Sequence, residues 1–231
     1  MTNGSILSPR GAAPGKFITL EGIDGAGKSS HVAFVCERVR ALRADPVVTR
    51  EPGGTPVAEG IRELLLDPKR RPDPMAEALL MEAARADLFA HVIAPALAAD
   101  GLVLCDRHID STLAYQGYGR GLDLDLLRVL NAAATRGRTP DLTLLFDLGA
   151  ETGGARRAAA RGHTNRIDRE PLEFHDRVRQ GFLELARAEP RRFVTIDAGR
   201  EIQDVELQVW AAFESRIIGP RQASAPPPPA R

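Results

Sequence analysis

The chain of 231 residues has no excess of charge: 31 Lys and Arg stand against 31 Asp and Glu. No broad positive field therefore exists to hold a nucleic-acid polymer or an anionic membrane, and an anion must be bound by a local arrangement. Cysteine is scarce. The two present, Cys36 and Cys105, fall in apolar stretches without metal-ligand spacing and read as reduced, buried thiols of a cytoplasmic protein. No run is long and apolar enough to span a bilayer, and the start of the chain lacks the apolar core of a signal peptide. The five histidines, His31, His91, His108, His163 and His175, lie in separate segments with no i, i+4 pair. That excludes a histidine-only metal cluster on one helix and gives no Ser-His-Asp arrangement. No internal repeat suggests a solenoid.

What is present is an alternation of short apolar runs with longer helical patterns. The runs are Phe17 to Leu20, Val47 to Thr49, Leu102 to Cys105, Leu142 to Phe146 and Phe193 to Ile196. Helical spacing covers Val57 to Leu66, Ala76 to Ala99, Asp123 to Thr135, Pro171 to Ala188 and Ile202 to Ile217. Such alternation predicts an α/β fold, a five-stranded parallel sheet with helices on both faces. Residues 1–15, rich in Gly, Pro, Ser and Ala, and residues 219–231, which end Ala-Pro-Pro-Pro-Pro-Ala-Arg, read as disordered tails around one domain of residues 16–218. In parallel sheets, ligands collect beyond the carboxyl ends of the strands, so the residues after each run matter most.

After the first run comes Gly22-Ile23-Asp24-Gly25-Ala26-Gly27-Lys28-Ser29-Ser30. Its Gly-x-x-x-x-Gly-Lys-Ser spacing is that of a phosphate-binding loop, in which glycines let successive N–H groups converge on phosphate oxygens at a helix start. Lys28 is placed to reach β and γ phosphates and Ser29 to ligate Mg²⁺. The sheet is thereby read as a P-loop NTPase sandwich.

The second run ends in Thr49-Arg50-Glu51-Pro52-Gly53-Gly54-Thr55, the third in Asp106-Arg107-His108. Arg50 and Arg107 are phosphate-binding candidates, and Asp106 can hold Mg²⁺ through water. The plainer readings are a surface ion pair at Arg50 and an Arg107 that only neutralises Asp106. From Asp110 to Gly119, hydroxyl, amide and phenol groups crowd together, suited to reading a polar small molecule, with Ser111 or Thr112 able also to cap a helix. Arg156, Arg157, Arg161 and Arg166 surround Gly162-His163-Thr164, the composition of a mobile flap over phosphates or of a solvated basic face.

In this order the three strand-end motifs and the arginine flap, from about Lys16 to Ile218, resemble the bacterial thymidylate kinases. The resemblance implies ATP as phosphoryl donor, dTMP as acceptor, dTDP as product, Mg²⁺ as cofactor and a homodimer. It makes Lys28 and Ser29 the ATP-loop lysine and the cation-binding hydroxyl. Asp24 becomes the acidic residue near the acceptor's 3′-hydroxyl and the metal, and Arg161 the flap arginine. Arg50 and Arg107 match arginines on the dTMP phosphate, with Glu51 and Asp106 beside them. Arg62 and Arg85 match further nucleotide-contacting arginines, Arg85 the one at the thymine edge. Ser111, Thr112 and Gln116 match polar residues on the base side, and Tyr115 the phenol that crowds the sugar's 2′ position. Gly25 stands where eukaryotic relatives carry an arginine. One departure is Met81, where many members stack thymine on phenylalanine; it can pack through sulfur or serve only as core. Two rival functions are a deoxynucleoside kinase, whose neutral acceptor needs a base, and a GTP-dependent switch, whose Asn-Lys-x-Asp guanine motif is absent from the sequence.

Overall fold

The computed structural model describes residues 15–159 and 165–219. Five strands, β1 (Lys16–Glu21), β2 (Val47–Arg50), β3 (Leu102–Asp106), β4 (Leu142–Asp147) and β5 (Phe193–Asp197), form one sheet in the order β2-β3-β1-β4-β5. Every pairing is parallel. Alternation along the strands divides the interior into two faces. Phe17, Val103 and Cys105 pack with Leu88, Phe89 and Ile93, whereas Ile18, Leu20, Leu102 and Leu104 share a cluster with Val32, Val35 and Val39.

The helices begin where local chemistry lets them. Helix α1 (Lys28–Ala41) starts from Gly27, left-handed at φ 88, and buries His31, Val32, Val35, Cys36 and Val39 along one stripe. Helix α2 (Pro56–Leu66) is capped by Thr55, whose hydroxyl accepts from Ala58 N, and α3 (Pro74–Leu88) by Asp73, which accepts from Met75 N. The single helical pattern expected from Ala76 to Ala99 continues through a wide π turn, Phe89–Ile93, into α4 (Ala94–Ala98). The turn stands just before Pro95, which has no N–H to continue the α ladder.

Next come α5 (Ile109–Thr112) with its π-helical continuation Leu113–Gly119, then α6 (Leu124–Thr135), α7 (Ala150–Ala159), α8 (Leu172–Ala188) and α9 (Ile202–Phe213). Ser111 and Thr112 lie inside the helix that starts at Ile109, so neither is its cap. Gly15, grouped with the first tail by composition, is buried, and a Cβ there would stand 2.6 Å from Leu97 O. Residues 1–14 and 220–231 of the expected tails, and Arg161 and His163 of the expected flap, lie outside the described residues.

Candidate active site

The register sets β1 and β3 side by side with Leu20 opposite Asp106, so the phosphate loop and the Asp106-Arg107 strand end leave the sheet together. Ser29 Oγ donates to Asp106 Oδ2 at 2.7 Å. Two hard oxygen donors at one point suit Mg²⁺, and Ser29 and Asp106 are the residues that would hold it. Lys28 Nζ folds back onto the loop, donating to Gly22 O at 3.0 Å and Ile23 O at 2.9 Å. Burial, and next the Arg107 charge, lower its pKa to about 8.

Loop packing is tight enough to forbid side chains at two positions. A Cβ at Gly22 would meet Phe146 O at 2.4 Å, and one at Gly25 would meet Gly153 O of α7 at 2.3 Å. Gly25 is also left-handed, at φ 84.

Arg107 is the hub. Its Nη1 donates to Gly22 O (2.9 Å) and Ser111 Oγ (3.1 Å), and its Nη2 to Asp24 Oδ1 (2.6 Å) and Tyr115 OH (3.1 Å). It pairs with Asp24, and the partner of Asp106 is Ser29, which corrects the reading that Arg107 merely neutralises its neighbour. Burial alone would raise the pKa of Asp24, but the Arg107 and Lys28 charges outweigh it and hold the carboxyl well below the usual range.

Arg107 adopts φ 73, a left-handed conformation that any residue with a Cβ resists. Glu21 locks it there: its Oε1 accepts from His108 N at 2.7 Å and its Oε2 from Ser111 Oγ at 2.6 Å. Burial, and next the Asp110 carboxylate, push the pKa of Glu21 up to about 8. Asp110 in turn forms a buried two-toothed pair with Arg192, at 2.6 and 2.9 Å.

Beside this hub lies a pocket lined by Met81, Arg85, Thr112, Gln116, Leu66 and Ile167 among others. A second cleft runs over the loop from Lys28 and Ser29 to Arg50, Arg156 and Arg157. The two share Asp24, Glu51, Arg62 and Arg107.

Several expected ligands have protein partners. Arg85 is 2% exposed, and its guanidinium donates to Glu51, Glu82, Thr112, Asn131 and the His108 carbonyl. It lines the pocket as a brace that organises the wall. Glu51 accepts from both Arg85 and His108 Nδ1, the latter at 2.6 Å. Arg50 makes the exposed ion pair that the plainer reading foresaw, with Glu59 as its partner at 2.9 Å. Arg62 donates to Pro52 O at 2.8 Å. Arg166, read as a flap arginine, is a buried strut: Nε donates to Leu65 O at 3.0 Å and Nη2 to Glu77 Oε2 at 2.5 Å. Arg157 ties α7 to the loop through Asp24 O at 2.7 Å. Cys36 and Cys105 are free and buried.

Sequence reading missed Glu77, Glu82 and Asn131, and with them the Glu51–Cys105–His108 group, whose ligand atoms lie within 4.8 Å of one another. In that group both Glu51 oxygens and the Cys105 thiol are already engaged, the thiol donating to Arg107 O. For Glu77 a signal existed: Glu77, Met81 and Arg85 stand four apart, on one helical face.

A parallel sheet with a phosphate loop, a second arginine-bearing strand end beside it and an adjoining pocket with polar and apolar walls define a nucleoside monophosphate kinase of the P-loop class. The family model described as "Thymidylate kinase" matches residues 20–209. The thymidylate kinase of Deinococcus radiodurans is 51% identical over 202 residues, covering 87% of this chain and 98% of that one. That of Pseudomonas fluorescens is 51% identical over 193 residues, covering 83% and 91%. A crystal structure of thymidylate kinase from Ehrlichia chaffeensis superposes with a TM-score of 0.69 at 34% identity, covering 86% and 98%. The chain belongs to the thymidylate kinase family. Among the described residues no helix is long and apolar enough to cross a membrane.

Proposed function

We propose that this protein transfers the γ-phosphoryl group of ATP to the 5′-phosphate of dTMP, giving dTDP, with Mg²⁺ at Ser29 and Asp106. The observation that carries the reading is the junction of the two cavities. Asp24, Glu51, Arg62 and Arg107 line both, so a nucleotide in the pocket directs its phosphate toward the mouth of the donor cleft. Family membership supplies thymidylate as the acceptor class.

Two phosphate groups that meet in line repel one another, and positioned cations offset that repulsion. Arg107, its Nη groups fixed at four acceptors and its Nε left to donate, and Arg62 are assigned to the acceptor phosphate, while Lys28 leaves the loop carbonyls for the donor phosphates. Bound Mg²⁺ would neutralise charge on the donor oxygens. Arg50 keeps Nε and Nη1 free of its Glu59 pair. Arg161, outside the described residues, is assigned to the transferring phosphoryl group on the strength of the motif order alone. Its replacement by alanine is expected to lower turnover more than dTMP binding.

No general base is assigned. Asp24 is bound to Arg107 with a depressed pKa, and Glu51 has both oxygens occupied, so neither is poised to take a proton from a neutral hydroxyl. This favours an acceptor that already carries phosphate over a nucleoside. Tyr115 OH, 3.3 Å from Asp24 Oδ2 and within reach of Arg107, leaves little room beside the sugar for a 2′-hydroxyl. On the base side, Arg85 is engaged by protein partners and Met81 lines the pocket with an apolar, polarizable side chain, while Gln116 Oε1 is buried without a partner. A thymine N3–H would satisfy it.

A cytoplasmic setting and a homodimer belong to the same proposal. Helices α3 and α6, which pack on each other, leave Leu79, Leu126 and Val129 exposed, an apolar surface for a second copy. Light scattering during size-exclusion chromatography reads the dimer. ADP release with ATP and Mg²⁺, comparing dTMP, dUMP, dCMP and thymidine, tests the activity: strong preference for dTMP is expected, and turnover of thymidine alone would refute it.

A further inference from the structure

The amide of Gln116 has two chemically opposite ends, and the pocket sees whichever one is turned inward. Nε2 donates to Glu77 Oε1 at 2.7 Å. A carboxylate can only accept, so Glu77 fixes the NH₂ against itself and leaves the oxygen at the other end. That oxygen is buried and has no partner, on a residue 1% exposed that lines the pocket beside Arg107. An acceptor in that state is costly until a ligand donates to it.

We propose that Glu77 is a specificity-determining positioning residue, which holds Gln116 with its oxygen toward the base and so admits pyrimidines that carry N3–H while rejecting cytosine, whose N3 is a bare acceptor. The proposal rests on the reading of this pocket as the base site. Glu77 itself touches no substrate.

The surroundings keep Glu77 an obligate acceptor. Arg166 Nη2 donates to Oε2 at 2.5 Å, and Arg120 donates to both oxygens at 3.3 Å. Arg120 is also paired with Glu170 at 2.7 Å. Burial would favour a proton on Glu77, yet the Gln116 bond and the two arginines outweigh it and lower the pKa. Gln116 has no other side-chain partner among the described residues, so nothing else dictates which way its amide faces. Replacing the carboxylate by an amide removes the dictate. A glutamine at position 77 can accept or donate, and Gln116 can then turn its NH₂ to the N3 lone pair of cytosine.

The experiment measures kcat/KM for dTMP, dUMP and dCMP in the wild type, Glu77→Gln, Gln116→Met and the double variant. In Glu77→Gln the ratio of dCMP to dTMP is expected to rise about tenfold or more, while dUMP, which shares N3–H, falls in step with dTMP. In the Gln116→Met background, adding Glu77→Gln should leave the ratio unmoved. A loss that is equal for all three acceptors would overturn the proposal and leave Glu77 as a brace for Arg166. A wild type that does not phosphorylate dTMP would instead defeat the functional reading itself. If Glu77→Gln fails to fold because Arg166 loses its partner, Glu77→Gln with Arg166→Met removes both charges and reads the same ratio.

Discussion

Arg107 Nη2 and Asp24 Oδ1 stand 2.6 Å apart, joining the end of β3 to the middle of the phosphate loop. The same guanidinium reaches the Gly22 carbonyl, so the arginine proposed to hold the acceptor phosphate rests on the phosphate loop itself. A lysine at position 107 keeps the charge but loses the planar fork that spans these partners. Arg107→Lys is expected to lower kcat/KM for dTMP on the order of a hundredfold, with the ATP affinity changing less; steady-state kinetics and ATP titration check it.

Glu21 gives a pH signature. Its folded-state pKa, about 8, lies above the ordinary glutamate value, so the folded state binds a proton that the unfolded chain has released. Stability contributed this way is present at pH below the unfolded value and is lost as pH rises toward 8. Glu21→Gln is expected to flatten that decline, read as melting temperature against pH between 5 and 9. Parallel curves for the two proteins would contradict it.

Lys28 gives a second. Phosphate oxygens favour the charged ammonium, so ATP binding restores the proton that burial has made labile. At pH 8 binding should take up about half a proton, and at pH 6 almost none. Calorimetry in buffers of different ionisation enthalpy measures this directly, and a pH-independent uptake would count against it.

The Asp110–Arg192 pair predicts stability without chemistry. Asp110 is fully buried and Arg192 nearly so. Asp110→Ala leaves a buried guanidinium with Glu189 as its remaining carboxylate partner, and is expected to cost about 3 kcal/mol, seen in denaturant unfolding. Turnover at low temperature should remain within a few-fold of the wild type.

The fold was legible because the three central strands β1, β3 and β4 are apolar runs buried on both faces, which leave a signal in the chain itself, and the partly exposed edge strands β2 and β5 keep enough apolar residues to be read beside them. The phosphate loop was legible for a similar reason: its glycines, lysine and serine are contiguous. Arginine was not. In sequence, Arg85 looks like a base-side ligand and Arg166 like a flap cation, and each also meets a carboxylate from an element tens of residues away, Glu51 for one and Glu77 for the other. Nothing local announces such a partner. The same holds for Ser111, which looked like a helix cap and is tied to Glu21, ninety positions earlier. The wide turn from Leu113 to Gly119, which carries Tyr115 and Gln116, likewise has no breaker residue ahead of it to mark a departure from the α pattern.

The contact between Gly25 and Gly153 reaches into the history of the site. With backbone on backbone there, an arginine at position 25 has nowhere to go unless α7 first retreats. A lineage built like this chain cannot place an arginine in the loop by one substitution. The arginine would arrive with a displaced α7 and a disturbed loop, so the route passes through a poorer enzyme, and ancestry can keep position 25 a glycine even where the chemistry would tolerate a charge there.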